Sequence, residues 1–190
     1  MTMPTIVLAS ASPRRKQLLE MLHLPVVVSP ANVQEIPLPG EAPAAYVQRL
    51  ARDKARAVPG ALVLGADTTV VLDEHILEKP LDDDDAVRML LMLQGRTHTV
   101  MTGICLVAGG KEFAAIDRTR VTFRACSEQM LRDYVATGEP RDKAGAYGIQ
   151  GWGAALVDRI EGDFFSVMGL PVRLVLTLLE QAGHPYRFGK

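Results

Sequence analysis

Cysteine is scarce in this chain, and the little there is carries no metal or redox signature. Cys105 and Cys126 sit in apolar or mixed strand-like stretches without CxxC spacing, so no zinc site or thiol pair is signalled and both read as reduced, packed thiols. An excess of charge of one sign is also missing. Lys and Arg number 21 against 22 Asp and Glu, a formal net charge of −1. That balance provides no global basic field of the kind that holds a duplex by phosphate neutralisation, so nucleic acid is not expected as the main partner. Long hydrophobic runs are absent too. No stretch reaches transmembrane length, and Met1 to Thr5 offer neither a basic n-region nor the start of a long apolar one. A cytoplasmic protein with no membrane partner is expected. A Gly-Lys-Ser/Thr ending after a glycine loop is missing as well, which excludes a Walker A phosphate site.

What is present is ample for one compact domain over residues 1–190, with 48% apolar and 23% charged residues. Ile6-Val7-Leu8-Ala9 predicts a buried strand that passes at Ser10-Ala11-Ser12-Pro13 into a helix to about Leu24, capped by Ser12. A strand from Val26 to Ser29 and a proline-rich loop with Glu35 and Glu41 lead to a second helix, roughly 43–58. Lys54 interrupts the apolar stripe of that helix. Residues 61–66 predict a strand ending on Asp67-Thr68-Thr69, before a second apolar run, Val70-Val71-Leu72. A helix from about Asp82 to Leu93 is closed by Gly95, and Gly109-Gly110 joins two alternating runs into a long hairpin. A helix at 127–136, a glycine-dense stretch at 138–153, a strand to Ile160 and a last helix from Pro171 complete the chain. Interleaved strands and helices with one hairpin give an α/β fold with a mixed sheet and flanking helices.

Four segments carry candidate chemistry at strand or helix ends, where α/β folds place ligands. Ser10-Ala11-Ser12-Pro13-Arg14-Arg15 sets hydroxyls and two guanidinium groups at a helix N-terminus, which suits polyphosphate. An ordinary capped helix with solvated arginines is the less favoured reading of this segment. Asp67, with Glu35 and Glu41 as further carboxylates, could hold Mg²⁺ or Mn²⁺ or accept a proton from attacking water; a turn aspartate is the plainer alternative. Lys54 and Lys79 suit phosphate, or snorkel. Asp142 through Gly151 combines small residues, which let a backbone approach a ligand, with Gln150, which offers a donor and an acceptor.

These segments, in this order, resemble the Maf nucleotide pyrophosphatases along essentially the whole chain. The residues that carry the match are Leu8 to Arg15, Glu35, Arg49 to Ala55, Gly65 to Thr68, Glu78-Lys79-Pro80, Asp142 to Gly151, and Gly162-Asp163 with Gly169-Leu170-Pro171. The resemblance implies an elongated inosine triphosphatase-like α/β fold with a deep cleft, a divalent cation, Mg²⁺ or Mn²⁺, and a homodimer. It implies cleavage of a nucleoside triphosphate between the α and β phosphates. The family's proton acceptor falls on Asp67, and its other catalytic-cleft positions fall on Ser10, Arg15, Glu35, Lys54 and Lys79. Asp67 and Glu35 are the carboxylates expected to hold the metal. The dTTP- and UTP-cleaving subgroup carries Arg, Thr and Gln at three specificity positions, here Arg14, Thr68 and Gln150. Where the closing motif often has asparagine, this chain has Ser166. The alternatives are a sibling activity on 7-methyl-GTP or another purine triphosphate, and a nucleotide-binding regulator of septum formation.

Overall fold

The computed structural model describes residues 3–189. The chain opens as β1 (Ile6–Leu8), α1 (Pro13–Met21) and β2 (Val26–Val28), a strand–helix–strand unit whose two strands pair in parallel with Ile6 opposite Val26. β1 also pairs in parallel with β3 (Leu62–Leu72), which follows α2 (Pro43–Arg56). β4 (His75–Leu77) turns back antiparallel on β3, and α3 (Asp83–Leu93) precedes the hairpin of β5 (Thr97–Ala108) and β6 (Lys111–Phe123). Its turn uses Gly109 and Gly110 at φ 54° and 76°, the left-handed pair that a two-residue hairpin requires. α4 (Glu128–Ala136), three short 3₁₀ turns between Glu139 and Leu156, β7 (Val157–Glu161), α5 (Phe164–Val167) and α6 (Val172–Gln181) complete the order. The sheet is mixed and runs β2-β1-β3-β5-β6-β7, with β4 beside β3.

The chain divides into two compact units. One comprises residues 3–67, Thr102–Asp117 and 169–189, the other Thr68–Met101 and Arg118–Met168. The chain therefore passes from one to the other within β3, β5 and β6 and again between α5 and α6. In the first unit α2 lies directly on the sheet. A Cβ at Gly65 would fall 2.1 Å from the Ala51 carbonyl and 2.6 Å from the Ala55 amide, so only glycine permits this approach. Ala51, Lys54 and Ala55 share one helix face, and Gly65 and Asp67 share one strand face. The close approach thus brings Lys54 over Asp67. In the second unit the core gathers around Leu90, Leu93, Val121, Phe123 and Leu131, with His98 set edge-on between Phe123 and Tyr147.

Several expected boundaries shift. The predicted break at Asp67-Thr68-Thr69 is not there: β3 is one strand of 11 residues with Asp67 in its middle. A buried aspartate can stand inside a strand when a cation meets its charge, and Lys54 does so. α1 stops at Met21 rather than near Leu24, because His23 turns left-handed at φ 55°. α2 stops at Arg56 rather than Val58. Ser12 occupies the N-cap position without a side-chain cap bond; its own amide donates to Ser10 Oγ at 3.2 Å.

Two predictions follow from this packing. Gly65→Ala should lower stability by about 1–3 kcal/mol in urea unfolding, since the new methyl meets helix backbone and not a movable side chain. His98 is 2% exposed, and burial pushes its pKa down to about 4. A depressed folded pKa contributes stability that is present above the ordinary value of about 6.5 and lost as pH falls toward 4. Unfolding measured from pH 7 to pH 4 should therefore show a loss of up to about 3 kcal/mol that His98→Leu removes. An unchanged pH slope in that variant would assign the acid sensitivity to other groups.

Candidate active site

α1 begins at Pro13, which puts Arg15 in its first turn, where it is 9% exposed. A guanidinium so deeply buried requires acceptors. Its Nε donates to the Gly169 carbonyl at 2.8 Å, and its Nη1 donates to Ser10 Oγ and to the Ala66 carbonyl, each at 2.9 Å. Arg15 thereby joins the loop after β1, the middle of β3 and the segment before α6. Burial lowers its pKa, and the nearby Asp67 carboxylate opposes that fall.

Lys54 is the second buried cation. Its Nζ lies 2.6 Å from Asp67 Oδ1 and 2.6 Å from Glu35 Oε1, so one ammonium bridges two carboxylates. Lys54 and Asp67 have side chains only 8% and 9% exposed, whereas Glu35 approaches from its loop at 38%. Burial raises the Asp67 pKa above the ordinary carboxylate range; Lys54 and Arg15 pull it back, and Glu35 adds to the rise. The result is a carboxylate with enhanced proton affinity, fixed between two cations.

Glu35 lies in a stretch with no helix or strand of its own, and a side-chain fork steadies its neighbour. Arg49 of α2 donates from Nε and Nη2 to the two Glu41 oxygens at 2.7 Å each, and from Nη2 to the Ile36 carbonyl at 3.0 Å. Glu41 also accepts the Leu38 amide at 3.0 Å. Glu41 was a candidate for the same carboxylate set as Asp67. The structure corrects that: its bidentate bond with Arg49 commits it to holding the loop.

Arg15 with Ser10 and Lys54 with Asp67 and Glu35 thus form two bonded groups coupled through the charges of Arg15 and Asp67, and the half-buried Arg14 acts on them through its charge on Arg15. Thr68, Lys79 and Gln150 belong to the second unit. There Thr68 is half-buried on β3, Lys79 is exposed after β4, and the half-buried Gln150 leads into the 3₁₀ turn Gly151–Leu156. The Glu78 carbonyl beside Lys79 accepts the Gly145 amide at 3.1 Å, so the glycine-dense stretch is tied to the Lys79 segment. Ser166 is fully buried in α5. Gly169 and the Arg49–Glu41 fork were missed as supporting groups. No local spacing points to a carbonyl 154 residues from Arg15.

Among the described residues, no group of three or more His, Cys, Asp or Glu side chains is arranged to hold a metal ion. The pair Asp67 and Glu35 nevertheless converges on a single cation in the form of the Lys54 ammonium. Two carboxylates whose remaining partners come from phosphate and water are the donor set that Mg²⁺ takes in nucleotide sites, so these residues fit a hard divalent cation.

Comparison with known proteins identifies the family and the fold. The family model described as "Maf-like protein" matches residues 5–182. A dTTP/UTP pyrophosphatase of Koribacter versatilis (strain Ellin345) is 52% identical over 182 residues, covering 94% of each chain. One of Myxococcus xanthus (strain DK1622) is 53% identical over 184 residues, covering 95% of this chain and 93% of that protein. Among solved structures, the Staphylococcus aureus Ham1 protein is similar in fold, with TM-score 0.50 and 14% identity over 81% of this chain and 80% of that one. With the family model matching residues 5–182 and relatives about half identical over more than nine-tenths of both chains, this chain belongs to the Maf family.

Proposed function

We propose that this protein hydrolyses dTTP and UTP to the monophosphate and pyrophosphate. The observation that carries the reading is the buried Lys54 ammonium bridging Asp67 and Glu35, beside the equally buried Arg15. The names of the relatives supply the substrate class. All of residues 1–190 serve this one activity as a single catalytic domain, in a cytoplasmic homodimer. Among the described residues no helix is long and apolar enough to cross a membrane.

Asp67 takes the proton of the water that attacks the α phosphorus. Its raised pKa strengthens it as a base, and its place inside β3 between Lys54 and Arg15 fixes where the proton is accepted. Lys54 and Arg15 supply fixed positive charge toward the phosphates and need little reorganisation as negative charge moves to the leaving pyrophosphate. Ser10 is oriented by Arg15, and Lys79, exposed after β4, supplies a further positive charge for the phosphate tail. Asp67 and Glu35 would hold Mg²⁺ or Mn²⁺, which when bound supplies Lewis-acid activation and neutralises phosphate charge. Arg14, Thr68 and Gln150 select the base. Uracil and thymine present a carbonyl next to a ring N–H, and the Gln150 amide can donate to the first and accept from the second.

Three outcomes test this. Folded Asp67→Asn should lose most turnover in a pyrophosphate-release assay with dTTP; near-parental rates would falsify the proton-acceptor role. Arg15→Lys should lower kcat/KM by about tenfold or more, because an ammonium cannot serve the Gly169, Ser10 and Ala66 oxygens with a planar fork. Gln150→Glu should cut dTTP and UTP hydrolysis by about 1–3 kcal/mol in activation free energy, more than any fall with 7-methyl-GTP, since glutamate presents only acceptors. Equal losses across nucleotides would place Gln150 away from the base, and a parent that prefers the purine substrates would assign the chain to the sibling activity. Release of orthophosphate as the first product would overturn the cleavage position.

A further inference from the structure

The turn that carries Gln150 is fastened at both ends to two side chains that the proposed reaction does not use. At its start the Gly148 amide donates to the Tyr134 hydroxyl at 3.1 Å. At its end the Gly153 amide donates to Glu139 Oε1 and the Trp152 amide to Glu139 Oε2, each at 3.0 Å. The Tyr134 hydroxyl closes the circuit by donating to Glu139 Oε1 at 2.9 Å. The two ends also touch directly: a Cβ at Gly153 would lie 2.2 Å from the Gly148 carbonyl and 2.7 Å from the Tyr134 hydroxyl. Tyr134 is 6% exposed on α4, which is itself packed against α3. Burial, and then the bond to Glu139, keep its hydroxyl protonated and able to donate.

We propose that Tyr134 and Glu139 are positioning residues for base selection, fixing the Gly148–Gly153 turn and through it the direction in which the Gln150 amide faces. The inference rests on the reading of Gln150 as the base-contacting group. A carboxamide has a donor end and an acceptor end of nearly equal size, so rotation by half a turn converts a partner for uracil into a partner for cytosine. Selectivity therefore depends on what holds the amide, because a freely turning glutamine would accept both bases. Three neutral donors converge on the one Glu139 carboxylate, two amides from the end of the six-residue turn and the Tyr134 hydroxyl, which in turn accepts the Gly148 amide from its start. This arrangement fixes the backbone from which the Gln150 side chain departs, and so limits the directions in which its amide can face. Neither Tyr134 nor Glu139 contacts nucleotide in this scheme.

The test is steady-state hydrolysis of dTTP, UTP, CTP and GTP by the full chain carrying Tyr134→Phe, Glu139→Gln or Gln150→Ala, singly and combined, with pyrophosphate as readout. Tyr134→Phe keeps the buried ring and removes only the oxygen. Glu139→Gln leaves one acceptor and turns the other toward the Trp152 amide as a donor. Each should narrow the preference for dTTP and UTP over CTP and GTP by about fivefold to tenfold, the worth of one or two hydrogen bonds. Neither should narrow it further once Gln150 is alanine. An equal fall for all four nucleotides, or full additivity with Gln150→Ala, would show that the pair supports only the fold and would overturn the inference. A parental nucleotide preference in Gln150→Ala itself would remove the base-reading role and the inference with it, which separates the two failures. Should Tyr134→Phe not fold, Glu139→Gln carries the same comparison.

Discussion

Lys54 introduces an ammonium group into a region where water scarcely reaches, and its contacts with Asp67 and Glu35 are the constraint on which the first unit's arrangement depends. Removing one partner of such a buried ion pair typically costs about 3–5 kcal/mol, because the remaining charge is stranded. The charge requires α2 to sit where Lys54 can reach the middle of β3. It also requires the loop after β2 to bring Glu35 alongside. Arg15 satisfies the same requirement by placing its donors on Gly169, Ser10 and Ala66. Two cations and two carboxylates thus offset one another within one buried region.

Backbone contact makes this possible. At Gly65 the strand accepts the helix at a distance no side chain would permit, and Gly103 repeats the pattern on β5 with the Val47 carbonyl at 2.7 Å from where a Cβ would lie. The short approach is what allows a lysine on a helix stripe to bury its whole stem and still end on a strand carboxylate. The Arg49–Glu41 fork then adds order to an otherwise irregular loop, so that Glu35 is presented from a fixed segment although it is the most exposed member of the cluster. The second unit uses a comparable device in Tyr134 and Glu139, where side chains serve backbone amides that no helix or strand can satisfy.

Much of this was legible in the sequence where the signal is local. Apolar runs and caps located the longer helices, Gly109-Gly110 marked the hairpin, and Lys54 showed itself as a charge on an apolar stripe. The break expected at Asp67 was not there, because a polar triplet between two apolar runs looks like a turn unless the partner of its charge is known. Glu41 looked like a ligand for the same reason: nothing nearby in sequence shows that Arg49, two turns into a helix, takes both of its oxygens.

The sequence by itself determined the alternation of strands and helices, the family, and the identity of the groups at Ser10, Arg15, Glu35, Lys54, Asp67 and Gln150, because periodicity, capping and short motifs are set by neighbours a few residues apart. Only the tertiary structure decided which charges meet. Lys54 and Asp67 are 13 residues apart, Arg15 and Gly169 154, and Gly148 and Tyr134 14. Such partners are selected by the free energy of burying charges and amides together, and that depends on where the folded backbone brings them and not on their spacing along the chain.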